Sequence, residues 1–184
     1  MKHLLDKPGG GDRRSIGHSN LVVAEVSREP ALFAELIDGL SHHDQLVRMR
    51  SADAIEKISA NRPAMLQPYK KLLIDCAATC EQKEMRWRMA QICPRLYLTA
   101  SECRRLMSIM IDYLNDPSRM VKTFAMQAML DLAKEDKSML AEVTRHIKQL
   151  MLSGSPAMRS RGRQLLAKIA ALDNRVQNST AENH

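Results

Sequence analysis

An apolar residue followed by a base recurs along this 184-residue chain at Val47-Arg48, Met85-Arg86, Val121-Lys122 and Met158-Arg159, spaced by 38, 36 and 37 residues. No other feature constrains the fold as strongly, because a unit of that length cannot bury its apolar face alone and must stack on its neighbours. The register extends to both sides of the anchor. Eleven positions before it stand Leu36, Ile74, Met110 and Ile147, and seven before it stand Leu40, Ala78, Leu114 and Met151. Seven positions after it stand Ala54, Ile92, Ala128 and Leu165; at eight come Ile55, Cys93, Met129 and Leu166, and at eleven Ile58, Leu96, Leu132 and Ile169. Steps of 4, 7, 8 and 11 keep side chains on one helical face. Each unit therefore reads as two amphipathic helices joined by a short turn.

Punctuation agrees with that period. Pro30, Asn61-Arg62-Pro63, Pro94, Asn115-Asp116-Pro117 and Gly154-Ser155-Pro156 fall between the apolar stretches, where Pro suits a first helical turn and Ser, Asp or Asn caps it. Thr99 and Glu102 have the spacing of a capping box. Six aromatic residues are too few for a sandwich or barrel, while thirteen Met favour helix. The expected fold class is all-α. Residues 1–19 carry Gly9-Gly10-Gly11 and no apolar period, so they are expected to form a flexible arm; the repeat domain is expected over 20–172 and a flexible tail over 173–184. Leu21, Val22, Val23 and Val26 suit a short capping helix over Asn20–Ser27. No apolar run approaches membrane-spanning length, and the first eleven residues lack a signal-peptide core, so a soluble, cytoplasmic protein is expected.

The segment Leu114-Asn-Asp116-Pro117-Ser-Arg-Met-Val121-Lys122, echoed by Leu40-Ser-His-His-Asp44-Gln-Leu-Val47-Arg48, resembles the HEAT-repeat family of armadillo-like α-solenoids. The resemblance covers Pro30 to Leu172. It implies an α-α superhelix of about four helical hairpins, with the second helix of each lining a concave binding face. The family's turn aspartate is matched only by Asp116, since His42, Cys80 and Ser153 occupy the equivalent positions. An Arg directly after the anchor is, in that family, a packing and ladder residue.

Chemistry-bearing motifs are sparse. There is no phosphate-binding Gly loop, zincin His pair, nucleophile elbow or dinucleotide fingerprint. The spacing Cys76-x3-Cys80-x12-Cys93-x9-Cys103 lacks the close Cys pair of a zinc knuckle. No catalytic residue, metal or cofactor is expected, and His42-His43 read as a solvated turn. Cys76 and Cys80, one helical turn apart, are expected on the outer face or turn, with Cys93 in the core.

Charge is more informative. The net +7 resides on the second helices, with +9 there against −2 on the first helices. The bases fall one after the anchor (Arg48, Arg86, Lys122, Arg159) and three after it (Arg50, Arg88, Arg161), flanking the apolar stripe at about 100° and about 300°. Phe124 interrupts the second row. Such a stripe is the footprint of polyanion binding, although Arg stems also cover apolar surface. Trp87 lies about 200° round from the anchor and is expected to point away from the core. Arg48, Arg50, Arg86, Trp87, Arg88, Arg159, Arg161 and Arg163 are accordingly the candidate partner-binding residues. The expected function is a noncatalytic scaffold or adaptor binding an acidic protein or peptide. The alternative is nucleic-acid binding, including a resemblance to HEAT-like alkylpurine DNA glycosylases, against which stands the scarcity of aromatic residues for base stacking.

Overall fold

The structure, a computed structural model, describes residues 17–181; residues 1–16 of the expected arm and 182–184 of the expected tail lie outside the described residues. In chain order the helices are α1 (Gly17–Arg28), α2 (Phe33–Gly39), α3 (Gln45–Asn61), α4 (Lys70–Thr79), α5 (Lys83–Ile92), α6 (Ala100–Tyr113), α7 (Arg119–Glu135), α8 (Leu140–Ser153) and α9 (Pro156–Ala181). The described residues contain no strand. The fold class is all-α, built of HEAT-like hairpins, and the chain gathers into two compact units that divide between Tyr97 and Leu98.

Proline and side-chain caps decide where these helices start. Pro30 and Pro63 open short 3-10 segments, Pro30–Leu32 and Pro63–Tyr69, that lead into α2 and α4. The second helices begin two residues before each anchor, and the capping side chains of α3, α7 and α9 stand one residue further back. There the Leu46 amide donates to the Asp44 carboxylate (2.8 Å), the Val121 amide to the Ser118 hydroxyl (3.5 Å) and the Met158 amide to the Ser155 hydroxyl (3.4 Å). The displaced acid of the first repeat thus caps α3. Asp116, 5% exposed, instead accepts from the Ser118 amide (2.7 Å) and shapes the turn before α7. The capping box of α6 is complete: the Thr99 amide donates to Glu102 (2.8 Å) and the Glu102 amide to Thr99 Oγ1 (3.3 Å).

In the first unit α2 packs on α3, α3 on α5 and α4 on α5, while α1 lies against α3. α1 is the expected N-terminal cap, longer than the predicted Asn20–Ser27, and its Val26 is fully buried. In the second unit α6 packs on α7, α8 on α9, and α7 on both α8 and α9. Leu106, Met110, Val121, Met129, Ile147 and Leu165 form its centre. Met serves here as filling, as its unbranched side chain suits irregular gaps.

Most of the predicted register is buried, and its exceptions other than the half-buried anchor Val47 have local causes. Ala78 is exposed and Ala77 is buried in its place. At the equivalent positions Leu40 and Leu114 the helix has already ended, and tightened bonds to Ile37 O (3.1 Å) and Ile111 O (3.0 Å) carry those side chains inward. In α4 the α-helical bond from Cys80 N to Cys76 O (2.9 Å) continues past Ala78. Met151 and Leu166 are half-buried, as no later repeat among the described residues covers them. The predicted boundary at Asp173 is also passed: α9 runs on to Ala181, because no Pro or Gly follows Gly162 to stop the backbone ladder.

Asp136 shows how a helix lead-in is tuned. Its carboxylate accepts from the Ser138 hydroxyl (2.6 Å) and amide (3.1 Å), which hold its pKa below the usual carboxylate range. That stabilisation is present above the ordinary carboxylate pKa and is lost as pH falls through the lowered value. Ser138→Ala is expected to move the Asp136 titration back up, read by NMR of its carboxyl carbon. Leu132→Ala and Ile169→Ala, both in the core, should each cost about 2–5 kcal/mol in chemical denaturation. Leu152→Ala, at a side chain 86% exposed, should stay within about 0.5 kcal/mol; equal losses at the three positions would refute the observed register.

Candidate functional site

The bases directly after the anchors are tied to their own hairpin turns. Arg48 Nη1 donates to the carbonyls of His42 (2.6 Å) and His43 (2.9 Å), Arg86 Nε to that of Cys80 (2.8 Å), and Arg159 Nη1 to that of Gly154 (2.9 Å). These carbonyls lie at or just past the end of the first helix, where acceptors lack intrahelical donors. The guanidinium answers that need in three of the four repeats. Gly154 also keeps the last of these turns close, since a Cβ there would meet Leu150 O at 2.7 Å. A carbonyl carries no net charge, so all three Arg residues keep theirs uncompensated by these bonds.

The bases three after the anchor reach back to the preceding second helix instead. In the first unit Arg88 of α5 binds both Asp53 and Glu56 of α3, the latter at 3.3 Å. Glu56 is shared with Arg95 (2.6 Å), which also donates to the Glu56 carbonyl and to Ser59 Oγ, and Asp53 is shared with Lys57 (2.9 Å). Arg88, Asp53 and Glu56 side chains are 18%, 17% and 14% exposed, so the network sits where charge pairing counts. In the second unit Arg161 of α9 reaches the same register position of α7, but finds Gln127 there; its Nη2 donates to Gln127 Oε1 (2.7 Å). The carboxylate of one rung is replaced by a neutral amide in the other. Arg95 was not visible as a site residue in the sequence, since it falls ten after the anchor and outside both basic rows.

The remaining candidates differ among themselves. Arg50 has a buried Nη2 without a hydrogen-bond partner among the described residues. Trp87 is half-buried and carries the Arg88 guanidinium on its ring face at 4.4 Å. Arg163 and Lys168 are exposed on α9, as is Arg159. The eight candidates divide between the two units. Arg48, Arg50, Arg86, Trp87 and Arg88 belong to the first unit, and Arg159, Arg161 and Arg163 to the second. No group of three or more His, Cys, Asp or Glu able to hold a metal occurs among the described residues, and no described helix is long and apolar enough to cross a membrane.

Comparison with protein families matches a HEAT repeat domain over residues 12–169. The chain belongs to the HEAT-repeat family, whose fold is of the protein-interaction scaffold kind. Comparison with curated proteins and with solved structures gives no match.

The ladder makes a direct prediction. Arg88→Ala leaves two half-buried carboxylates short of a partner and should cost about 1–3 kcal/mol in chemical denaturation. Arg163→Ala should cost less than about 0.5 kcal/mol. Equal effects would mean that Arg88 is not a structural rung.

Proposed function

We propose that the protein is a noncatalytic interaction scaffold that holds an acidic protein segment against its second-helix face, with α9 as the principal contact. One observation carries this reading: from Pro156 to Leu172 α9 bears Arg159, Arg161, Arg163 and Lys168 and no acid, while Arg159 and Arg161 reach a carbonyl and an amide oxygen on other elements. Three of these four side chains are exposed. Positive charge without internal compensation attracts and orients an acidic partner. In the first unit Asp53 and Glu56 already engage Arg88, Arg95 and Lys57, so less charge remains there for a ligand.

Anisotropy titrations with a labelled acidic peptide and with duplex DNA test the proposal. The triple variant Arg159→Ala, Arg163→Ala, Lys168→Ala should keep its helical circular dichroism and lose at least about tenfold in peptide affinity. Wild-type affinity should fall as salt is raised. Preference for the duplex would move the protein to the nucleic-acid class. Salt-independent binding, or an unchanged triple variant, would refute the electrostatic contact.

A further inference from the structure

Cys76 and Cys80 lie one turn apart at the C-terminal end of α4 and are both half-buried. They share a cleft of about 1120 Å³ in the first unit, lined also by Arg48, Tyr69, Leu72 and Lys83. The Cys80 amide donates to the Cys76 carbonyl at 2.9 Å, so one closed α-turn separates them. Helical geometry then puts their Cα atoms about 6 Å apart, inside the disulfide range of ~4.4–6.8 Å. Their Cβ atoms, ~5–6 Å apart on such a turn, must close to about 4 Å. The residue that has to give is Cys80, the C-cap, whose backbone is already extended (φ −68°, ψ 133°) and no longer helical. The other two thiols are placed differently: Cys93 is fully buried with its sulfur on the Leu73 carbonyl (3.8 Å), and Cys103 is buried in the second unit.

We propose that Cys76 and Cys80 form a reversible intramolecular disulfide in this cleft, with a hydroperoxide as the oxidant. Cys80 supplies the attacking sulfur. The hydrogen bond from Cys76 to Cys80, then burial and the neighbouring Cys80 and Cys93 sulfurs, push the Cys76 thiol far up, so Cys76 keeps its proton, and Cys80, whose Sγ donates to the Ala77 carbonyl (3.9 Å), is the thiol that gives its proton to solvent and attacks. The Cys80 thiolate attacks the peroxide; an S–O bond forms, the O–O bond breaks, and the alcohol or water leaves with a solvent proton. The Cys76 sulfur then attacks that of Cys80, the S–S bond forms, and the S–O bond breaks to release water that takes the Cys76 proton. Two electrons pass from the two thiols to the peroxide, as the oxidation of a thiol through a sulfenic acid requires. Because the Cys80 carbonyl anchors Arg86 at 2.8 Å, closing the ring adjusts the turn that holds a base of the second-helix face.

Both thiols fall within one tryptic peptide, Leu72–Lys83, which makes the test direct. Reduced full-length protein is exposed to hydrogen peroxide, quenched, digested and weighed. The peptide is expected to lose about 2 Da, with two of the four free thiols consumed and both restored by dithiothreitol. Cys76→Ser and Cys80→Ser should each abolish that loss, and Cys93→Ala should keep it, with circular dichroism confirming that each variant is folded. Unchanged thiols, a disulfide reaching Cys93, a link between two molecules, or irreversible oxygen addition in place of the 2 Da loss would each overturn the proposal.

Discussion

The structure depends on stacking second helices side by side: α5 on α3 in the first unit, α9 on α7 in the second. A lone hairpin exposes the apolar residues that follow its anchor, and only the adjoining hairpin removes them from water. Two polar problems come with that arrangement. The turn between the helices leaves carbonyls without donors, and the seam between neighbouring second helices has to exclude water without orphaning charge. Both are met by arginine placed one and three residues after the anchor, where the aliphatic stem covers the apolar stripe and the guanidinium reaches past it. Arg48, Arg86 and Arg159 close the turns, and Arg88 and Arg161 bridge the seams.

That double use explains why a basic stripe is a poor guide to binding by itself. A guanidinium bonded to a carbonyl contributes to folding and still presents its full charge to a partner. One bonded to two carboxylates does not. Register position cannot separate these cases, because it is the residue on the preceding helix that decides: Asp53 receives Arg88, Gln127 receives Arg161. The same physics therefore leaves the acid-free stretch of α9 from Pro156 to Leu172 with more uncompensated charge than α5.

The cleft of the first unit shows a related divergence. Where the aligned first helices end early and turn Leu40 and Leu114 into the core, α4 continues, exposes Ala78 and brings Cys76 and Cys80 to the cleft wall. A difference of one or two residues in where a helix ends changes which side chains the turn displays.

The sequence by itself determined the period, the helical hairpins and nearly all of the buried face, since spacings of four, seven and eleven specify one side of a helix whatever lies beside it. It also placed the capping box of Thr99 and Glu102, whose donors are a few residues away, whereas the caps at Asp44 and Ser118 emerged only from the structure. Tertiary structure alone decided what each arginine does, because its acceptors lie either on a turn whose geometry depends on the helix end or on another helix more than thirty residues away. The same holds for Arg95, joined to Glu56 across 39 positions, and for Trp87, which points away from its own repeat core but is half-buried beneath Arg88. Local periodicity fixes the direction in which a side chain leaves its own helix, but the partner it meets is set by how the next repeat packs.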